Sequence, residues 1–474
     1  MRSVRPGLQE MVFLLLCSGL LLWKLLLPGF VGMASNGDFG KVTGPLCMDG
    51  ADHSADNFVF FQSQYLRGNQ YCFQPPYLSS ETALAWMASS IEQVVADRAR
   101  FDIRWLGAIH SLLFVGFYFA LLLVLRPLAA WARIAASIAG IWIFADAGTI
   151  SYLNSFFTDT VAILGALSAA VLAPRLAASK KIERAALVAF GFAVLLFAGS
   201  KAHHALVAGV AVVFLGALAW RTSNAHWRGE IGMVALAALC VIAWMWISTP
   251  NSYTAQARFD LIFFWLLPNS KTPLQDLSEL GLAAADARYA GLTTFSKVTP
   301  MNDPAWRKVF ESRCTNARLL TFYLRHPTRA LAKLKSDLYL EAPKRRVVYL
   351  SNYQRAAGKP AGARDQRLSS WSKLRTWIFR WRPGHVALWL GLALCFGPLT
   401  RKGYARPFSV SLAWTITACA LLAIAEFAIV SLADAIETDR HLFLFHIFTD
   451  LTMFLALVWA ASLRFSRSAH GDPI

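Results

Sequence analysis

The sequence predicts an all-α polytopic membrane protein with about ten transmembrane helices, both termini in the cytoplasm, and a mainly helical extracytoplasmic domain. Three observations lead to this fold class. The 474 residues are 56% hydrophobic with a mean hydropathy of +0.44, which is typical of polytopic membrane proteins and not of soluble domains. Apolar runs long enough to span a bilayer recur along the chain. Basic residues gather in alternate short connections between those runs.

The first apolar run, residues 11–31, follows Arg2 and Arg5 and is long enough to cross a bilayer core of ~30 Å. A cleaved signal peptide is the alternative interpretation of such a start. The run is longer than a usual signal-peptide core, and no clean small-x-small cleavage site precedes Asp38. These features favour an uncleaved first span.

Nine further apolar runs complete the predicted set of spans, near residues 105–125, 132–149, 157–174, 185–200, 203–220, 231–248, 385–399, 407–430 and 441–463. The basic connections all fall on the side of the N-terminus, and they contain Arg126, Arg133, Arg175, Lys180, Lys181, Arg184, Arg221, Arg228, Arg401, Lys402, Arg406, Arg464 and Arg467. The positive-inside rule therefore places both termini in the cytoplasm. Because topology explains many of these charges, the net charge of +18 does not indicate a nucleic-acid partner.

The spans divide the chain into three parts. Residues 1–248 form an N-terminal transmembrane module of about seven spans, whose first outer loop is 32–104. Residues 249–384 form an extracytoplasmic domain, and residues 385–474 form a C-terminal module of about three spans. The domain contains amphipathic stretches that predict helices, and it carries 23 Lys and Arg against 9 Asp and Glu. That balance suits anionic glycans or lipid headgroups, and a solvated basic face explains it equally well.

Polar residues mark four turns on the outer side of the membrane. Asp38 follows the first span in "NGDFG". The other three turns are "SYLNSFFTD" at 151–159, "GSKAHH" at 199–204 and "DAIETDRH" at 434–441. Together they bring carboxylates, a lysine, an arginine and three histidines to one side of the membrane, which favours a functional site there.

Each turn also has an ordinary structural interpretation. Asp38 suits a tight turn, and Asn154 or Ser155 suits a helix cap. Lys201 suits an interfacial residue that snorkels to water, and Glu437 with Arg440 suits a local helical ion pair.

The outer turns fit one kind of chemistry, glycosyl transfer from a lipid-borne activated sugar. A polyprenyl phosphate is already a good anionic leaving group, so a single carboxylate suffices to take the proton from the acceptor hydroxyl. A glycosidase would need two opposed carboxyl groups. Fixed cations would stabilise the departing phosphate. Asp38 is the candidate base, and Lys201 and Arg440 are the candidates for binding the donor phosphate.

These motifs resemble the GT-C superfamily of polytopic glycosyltransferases that use polyprenyl-phosphate sugars. Members place an essential acidic residue in the first outer loop, matched here by Asp38 in "NGDFG", and an aromatic turn after the third span, matched by "LNSFFTD" with Asp159. The stretches "LGL…YAG" (280–291), "YLRHP" (323–327) and "ETDRHLFLF" (437–445) look like bacterial hexose transferases of this class. The resemblance implies an inverting enzyme of the bacterial inner membrane whose active site faces the periplasm.

The resemblance also implies roles for further residues. The candidates for contacts to sugar, to acceptor or to a metal ion are Asp159, His203, His204, Glu437, Asn154 and Tyr152. Some members of the superfamily hold a divalent cation with an acidic residue in the turn of Asp159, and others need none. Because the sequence lacks a D-x-D pair, a Mg²⁺ or Mn²⁺ cofactor stays open. The implied partners are a polyprenyl-phosphate sugar, a glycan or glycolipid acceptor, and membrane lipids.

Two other functions are compatible with parts of the sequence. An O-antigen polymerase or ligase would use a diphosphate-linked donor. A lipid-linked glycan flippase or secondary transporter would explain Glu426 and Asp450 within the spans, where Lys24 is expected to snorkel. Cys47 and Cys72 share the first outer loop and are either a disulfide or two free thiols.

Overall fold

A computed structural model of the protein describes residues 6–54, 58–72, 77–96, 99–179, 183–399 and 407–464. These residues are mainly helical, and the chain is an all-α polytopic membrane protein as the sequence predicts. The basic residues Lys180, Lys181, Arg401, Lys402, Arg406 and Arg467 of the topology prediction lie outside the described ranges.

The α-helices follow one another along the whole chain. In order they are α1 (Leu8–Leu21), α2 (Gly40–Thr43), α3 (Ser80–Val95), α4 (Arg104–Val124), α5 (Ala130–Phe144), α6 (Ala147–Ile150), α7 (Asp159–Ala178), α8 (Arg184–Ala198), α9 (Ala202–Arg221), α10 (Ala225–Ser248), α11 (Asn251–Phe259), α12 (Pro273–Glu279), α13 (Pro304–Arg313), α14 (Asn316–Arg325), α15 (Pro327–Leu340), α16 (Ser370–Trp381), α17 (Pro383–Leu394), α18 (Phe396–Leu399), α19 (Pro407–Ala433), α20 (Thr438–His441) and α21 (Phe443–Arg464). Two π-helical stretches, Leu22–Leu26 and Asp260–Leu266, extend α1 and α11. The 3₁₀ turns are Asn69–Tyr71, Ser151–Asn154, Ala284–Tyr289, Pro300–Asn302 and Arg355–Ala357.

Seven of the described helices are long and apolar enough to cross a membrane, namely α1 with its π-helical extension, α4, α7, α9, α10, α19 and α21. An eighth span is formed if α5 is counted together with Ala147–Asn154, which bends away from it by 51°. The membrane core is built where α7 packs between α4, α8 and α19, and where α19 packs along α21.

The two remaining predicted spans form helices that are too short for a full crossing. Helix α8 has 15 residues and α17 has 12, so at ~1.5 Å per residue they reach only about 22 and 18 Å. Gly199 follows the end of α8, and Pro383 begins α17. The ten apolar runs are therefore helices, but seven or eight of them meet the length of a full span.

The first outer loop contains a small antiparallel sheet. Its strands are β1 (Met48–Gly50), β2 (Gln64–Arg67) and β3 (Arg100–Asp102), with β2 in the centre. The register pairs Met48 with Arg67 and Tyr65 with Phe101. Cys47 and Cys72, whose state the sequence leaves open, are joined as a disulfide beside this sheet.

The segment 249–384 has a helical structure and a hydrophobic cluster of its own, in which Phe259, Phe263 and Phe310 pack together. Asp303 and Thr315 cap α13 and α14 by accepting hydrogen bonds from backbone N–H groups. The stretch after α12 is interrupted at Gly281, whose φ of +78° suits glycine.

Buried ion pairs fasten this segment to the first and last spans. Lys24 of the π-helical extension lies 3.1 Å from Asp365 and is fully buried, so the expectation that it snorkels to water is wrong. Arg345 lies 3.2 Å from Asp450 of α21, and Arg375 of α16 also pairs with Asp450. Lys24 and Asp450 are thus paired with residues of this segment, which matters because a charge left alone in the membrane is costly.

Candidate active site

Four outer turns that are remote in sequence meet around one arginine. Asp38 lies in the turn after α1, Asp159 begins α7, Lys201 precedes α9, and Arg440 lies in α20. The side chains are progressively more buried: Asp38 is 23% exposed, Lys201 13%, Arg440 3% and Asp159 0%. The cluster therefore extends from an accessible carboxylate to a fully buried one.

The guanidinium of Arg440 contacts three carboxylates. One Nη donates to Asp38 Oδ2 at 2.8 Å, the other lies 3.4 Å from Asp159 Oδ2, and Nε donates to Glu437 Oε2 at 2.8 Å. The guanidinium also lies 5.0 Å from the centre of the Phe157 ring, a cation–π distance. A planar fork with five N–H donors can do this, whereas a lysine ammonium is a single point charge.

Two lysines complete the charge balance. Lys201 pairs with Asp159, and Lys41 donates to Asp38 Oδ1 at 2.7 Å. Three cations thus face three carboxylates, namely Lys41, Lys201 and Arg440 against Asp38, Asp159 and Glu437. A phosphate entering the cluster would compete with these carboxylates for the cations.

The surrounding charges control the protonation of Asp38. Burial alone would raise the pKa of its carboxyl group, but Lys41, Arg440 and Lys201 together hold that pKa well below its usual 3.8. Likewise, burial would lower the pKa of Arg440, and the carboxylates of Asp38, Asp159 and Glu437 raise it above its usual value. Asp38 is therefore an ionised proton acceptor whose basicity depends on how closely the cations stay.

Both carboxylate oxygens of Glu437 accept hydrogen bonds from side chains of the protein. Its Oε2 accepts from Asn36 Nδ2 at 2.7 Å as well as from Arg440, and its Oε1 accepts from Tyr349 Oη at 2.7 Å. Its backbone is in the left-handed region, with φ of 52°. This geometry makes Glu437 the residue that orients Arg440, and it leaves few lone pairs for the sugar or metal contact that the sequence suggests.

Tyr152 and Asn154 lie in the 3₁₀ turn that precedes α7. The Tyr152 ring contacts Phe157 and Phe443, with centroid distances of 6.4 and 5.8 Å. Asn154 Nδ2 donates to the carbonyls of Leu25 and Val31 at 2.7 and 3.0 Å, so it fastens the turn before α7 to the end of the first span. Tyr152 therefore packs among aromatic rings next to the cluster, and Asn154 acts as a tether.

The structure separates two sets of the predicted metal candidates. Both oxygens of Asp159 face cationic side chains, Lys201 and Arg440, and two such charges oppose a divalent cation there. Asp159 therefore does not fit the metal-binding role. His203 and His204 instead come together with Glu426 of α19, and one potential ligand atom from each lies within 4.8 Å of the others.

An apolar groove lies among α7, α8, α9 and α19. Its α7 side is formed by alanines, and Phe197 and Phe448 close the end nearest the outer turns. Phe197 stacks on His204 with a centroid distance of 5.6 Å, so the groove ends beside the turn that carries Lys201. This arrangement suits a ligand with an apolar chain and an anionic head.

Several residues of the cluster are absent from the sequence prediction. Lys41 stands three positions after Asp38 in a short helix, a spacing that favours an ion pair and could have indicated it. Asn36 is part of the quoted "NGDFG" motif. Tyr349 comes from the outer segment 88 positions before Glu437, and no local pattern in the sequence indicates that contact.

Among known proteins, no curated protein and no solved structure matches the chain. A family model does match it. Residues 2–472, nearly the whole sequence, match the family described as the YfdI N-terminal transmembrane domain. The spans, the outer loop with Asp38 and the turn with Arg440 all lie inside that match. The chain therefore belongs to the YfdI N-terminal transmembrane domain family.

Proposed function

We propose that the protein is an inverting GT-C-type glycosyltransferase that moves a hexosyl or pentosyl group from a polyprenyl-phosphate carrier to a cell-surface glycan or glycolipid, at the outer face of the bacterial inner membrane. One observation carries the proposal. An accessible carboxylate and a buried pair of cations, Asp38 with Lys201 and Arg440, share one cluster beside an apolar groove. The acceptor would thus reach the cluster from water, and the lipid-linked donor would reach it from the membrane.

The reaction follows from these positions. Asp38 removes the proton of the acceptor hydroxyl as that oxygen attacks the anomeric carbon. A bond forms between the acceptor oxygen and that carbon, the bond from the carbon to the phosphate oxygen breaks, and the configuration inverts. The bonding electrons go to the phosphate, whose charge changes from −1 to −2. Lys201 and Arg440 stabilise this added charge in a site with little water.

The ion pairs of the resting cluster link donor binding to the basicity of Asp38. While Arg440 and Lys41 bind Asp38, its carboxylate is a weak base. A donor phosphate that draws Arg440 toward itself reduces that stabilisation, and the pKa of Asp38 rises toward its usual range. The base would then be most active when the donor is in place.

The transporter alternative loses part of its support. It is based on the two acidic residues inside the spans, and Asp450 is held by Arg345 and Arg375. A carboxylate fixed by two buried arginines is suited to fastening helices and not to alternating protonation. Glu426 remains, and it lies beside His203 and His204.

The test uses purified protein in detergent with polyprenyl-phosphate hexoses and a membrane glycolipid extract. The wild type is expected to release polyprenyl phosphate and to label the acceptor. Asp38→Asn is expected to lower the rate by about 10²–10⁴-fold, the usual size of general-base catalysis. Asp49→Asn, which alters an exposed carboxylate of the same loop, is the matched control.

Two results would contradict the proposal. Equal turnover by wild type and Asp38→Asn would reduce Asp38 to a turn residue. Consumption of a diphosphate-linked glycan, with no turnover of any monophosphate-linked sugar, would favour the polymerase or ligase alternative.

A further inference from the structure

The outer end of the groove holds two buried polar side chains that the transfer reaction does not use. Glu426 of α19 is 1% exposed, and neither of its carboxylate oxygens has a hydrogen-bond partner among the described residues. His204 is fully buried, and its Nε2 likewise has no partner within the described chain. Buried polar groups left in this way cost free energy, so a ligand that satisfies both is expected.

The hydrogen bonds around His204 define its tautomer. The hydroxyl of Ser200 donates to the carbonyl of Phe197 at 2.6 Å, so its proton is already used. The contact of 2.8 Å between Ser200 Oγ and His204 Nδ1 must therefore have Nδ1–H as donor. The Nε2 lone pair is then free, which is the form in which imidazole binds a metal, and the bond at Nδ1 is the usual means of orienting such a ligand.

A third ligand stands beside these two. The rings of His203 and His204 have a centroid distance of 4.0 Å, and ligand atoms of His203, His204 and Glu426 lie within 4.8 Å of one another. In a tetrahedral zinc site with bonds of about 2.0–2.1 Å, ligand atoms are roughly 3.3 Å apart. Side-chain shifts of roughly one to two ångströms would therefore bring the three ligand atoms to bonding distance from one ion. His203 is half-buried, so it provides the entry path for the ion.

The two lysines that act on the histidines are each balanced by a carboxylate. Lys41, which acts on His203, is paired with Asp38, and Lys201, which acts on both histidines, is paired with Asp159. The charged side chains that act on Glu426 are Lys201 and Asp159, and these two are paired with each other. One Glu carboxylate and two neutral imidazoles would reduce the charge of a divalent ion to +1. Glu426 stands one helical turn beyond Leu422, which lines the groove, so the ion would lie between the groove and the cation cluster.

We propose that His203, His204 and Glu426 bind one Zn²⁺, with Ser200 orienting His204 through its Nδ1–H. Two imidazoles and one carboxylate form a ligand set typical of zinc, and oxygen-only sets are typical of Mg²⁺. Three protein ligands leave a fourth position for water or another oxygen ligand. This zinc site is inferred from the side chains alone and does not depend on the proposed transfer reaction.

The experiment measures metal binding on full-length protein in detergent, purified with a histidine-free tag. The protein is stripped with a chelator, dialysed, and titrated with ZnCl₂ against a chromophoric competitor, and bound zinc is counted by mass spectrometry. We expect one Zn²⁺ per chain. Glu426→Gln and His204→Ala are expected to weaken binding by 100-fold or more, and Ser200→Ala by about 10-fold, as for other outer-shell partners.

The control variant is His226→Ala. It removes an exposed histidine near the start of α10 that pairs with Glu230. It should bind zinc as the wild type does. Size-exclusion profiles and metal-free melting temperatures show whether each variant folds. Glu426→Gln keeps the side-chain volume, so its folding should persist. Addition of Zn²⁺ should raise the melting temperature of the wild type and not that of Glu426→Gln.

Cobalt substitution supplies a second readout. Co²⁺ in a tetrahedral site with nitrogen and oxygen ligands gives visible absorption bands, and Glu426→Gln should abolish them. The proposal is overturned if stripped wild type binds zinc no better than Glu426→Gln, which would mean that protonated Glu426 donates directly to His204 instead. Zinc binding that survives in Asp38→Asn, while transfer is lost, would separate this proposal from the proposed function.

Discussion

Arg440 is the residue on which the geometry of the cluster depends. Its guanidinium donates to Asp38 and Glu437 and lies against Asp159, all from one side chain that is 3% exposed. Replacement by lysine keeps the charge and loses the fork, so an ammonium could satisfy one or two of these carboxylates but not three. A lysine substitution at Arg440 therefore tests whether the shape of the cation matters as well as its charge.

We expect Arg440→Lys to lower the rate of sugar transfer by about 100-fold, since misplaced electrostatic stabilisation of a leaving group usually costs about 10²–10³. Arg440→Ala should lose more activity and also melt at a lower temperature, because it leaves buried Asp159 with one counter-ion. Turnover of polyprenyl-phosphate sugar and thermal unfolding in detergent are the measurements. Arg104→Lys, which alters an exposed arginine paired with Asp102, is the control. Full activity in Arg440→Lys would contradict the role of the fork.

Asp260 is a buried carboxylate that makes stability depend on pH. Its oxygens accept from the N–H and hydroxyl of Thr294 at 2.7 and 2.8 Å. Burial nevertheless raises its pKa from 3.8 to about 7. Between these two values the folded chain binds a proton that the unfolded chain releases. The contribution of Asp260 to stability is therefore complete below about pH 4 and falls as the pH rises toward 7.

The amide introduced by Asp260→Asn cannot ionise. This variant should therefore not show the fall in stability that the ionisation of Asp260 causes as the pH rises. Relative to the wild type, its free energy of unfolding should rise between pH 4 and pH 8 by up to about 4 kcal/mol, at 1.36 kcal/mol per pKa unit. Thermal unfolding in detergent across that range measures the difference. Glu311→Gln, in the same segment, is the control and should follow the wild type. Parallel curves for Asp260→Asn and wild type would show that Asp260 does not change its protonation on unfolding.

At the scale of elements, the outer segment holds the spans together through buried charges. Helix α16 and the loop before it insert Arg375 and Arg345 against Asp450 of α21. Arg345 also donates to the carbonyl of Gly148 and to Thr149 Oγ1, at 3.1 and 3.2 Å. The segment is thus fixed both to α21 and to the bend after α5, next to the turn that leads to Asp159.

Asp450→Asn should leave two buried guanidinium groups without their counter-ion. Removing one partner of a buried ion pair typically costs about 3–5 kcal/mol, and we expect a loss of stability of that size. Thermal unfolding in detergent checks it, with Asp52→Asn, at the exposed ion pair with Arg355, as control. A variant as stable as the wild type that had lost substrate flux across vesicles would instead restore the transporter interpretation.

At the scale of the whole molecule, the topology can be tested directly. The disulfide between Cys47 and Cys72 suits an oxidising compartment, in agreement with an outer position for the loop that carries Asp38. In intact cells, Ser54→Cys in that loop should react with a membrane-impermeant maleimide, and Ser223→Cys between α9 and α10 should react only after permeabilisation. The reverse pattern would move the cluster to the cytoplasmic side.

Much of the architecture could be predicted from the sequence, because membrane helices are encoded by local hydropathy. The apolar runs, the helical outer segment and the four polar outer turns are all read over short windows of sequence. The end of α17 at Leu394, within the predicted run 385–399, could not be predicted as easily, since the end of a helix depends on a few residues.

The pairings within the site were harder to predict. The sequence indicates Asp38, Lys201 and Arg440 by residue type and side of the membrane, but not that Arg440 joins Asp38, Asp159 and Glu437. Arg345 and Arg375 look like members of a solvated basic face in a segment rich in such residues. Their burial against Asp450 depends on contacts across 105 and 75 positions, and no local pattern encodes such contacts.

The burial of Lys24 has a consequence for biosynthesis. This lysine enters the membrane with the first helix, but it donates to the carbonyl of Arg367, which lies 343 positions later, and pairs with Asp365. At about 5–20 residues per second, the ribosome needs roughly 17–70 s to supply those partners. During that interval the ammonium must reach toward the headgroups or be sheltered by an insertion factor. Only when the outer segment folds back can the first helix settle to its final depth, so its N-terminal span is among the last parts of the chain to mature.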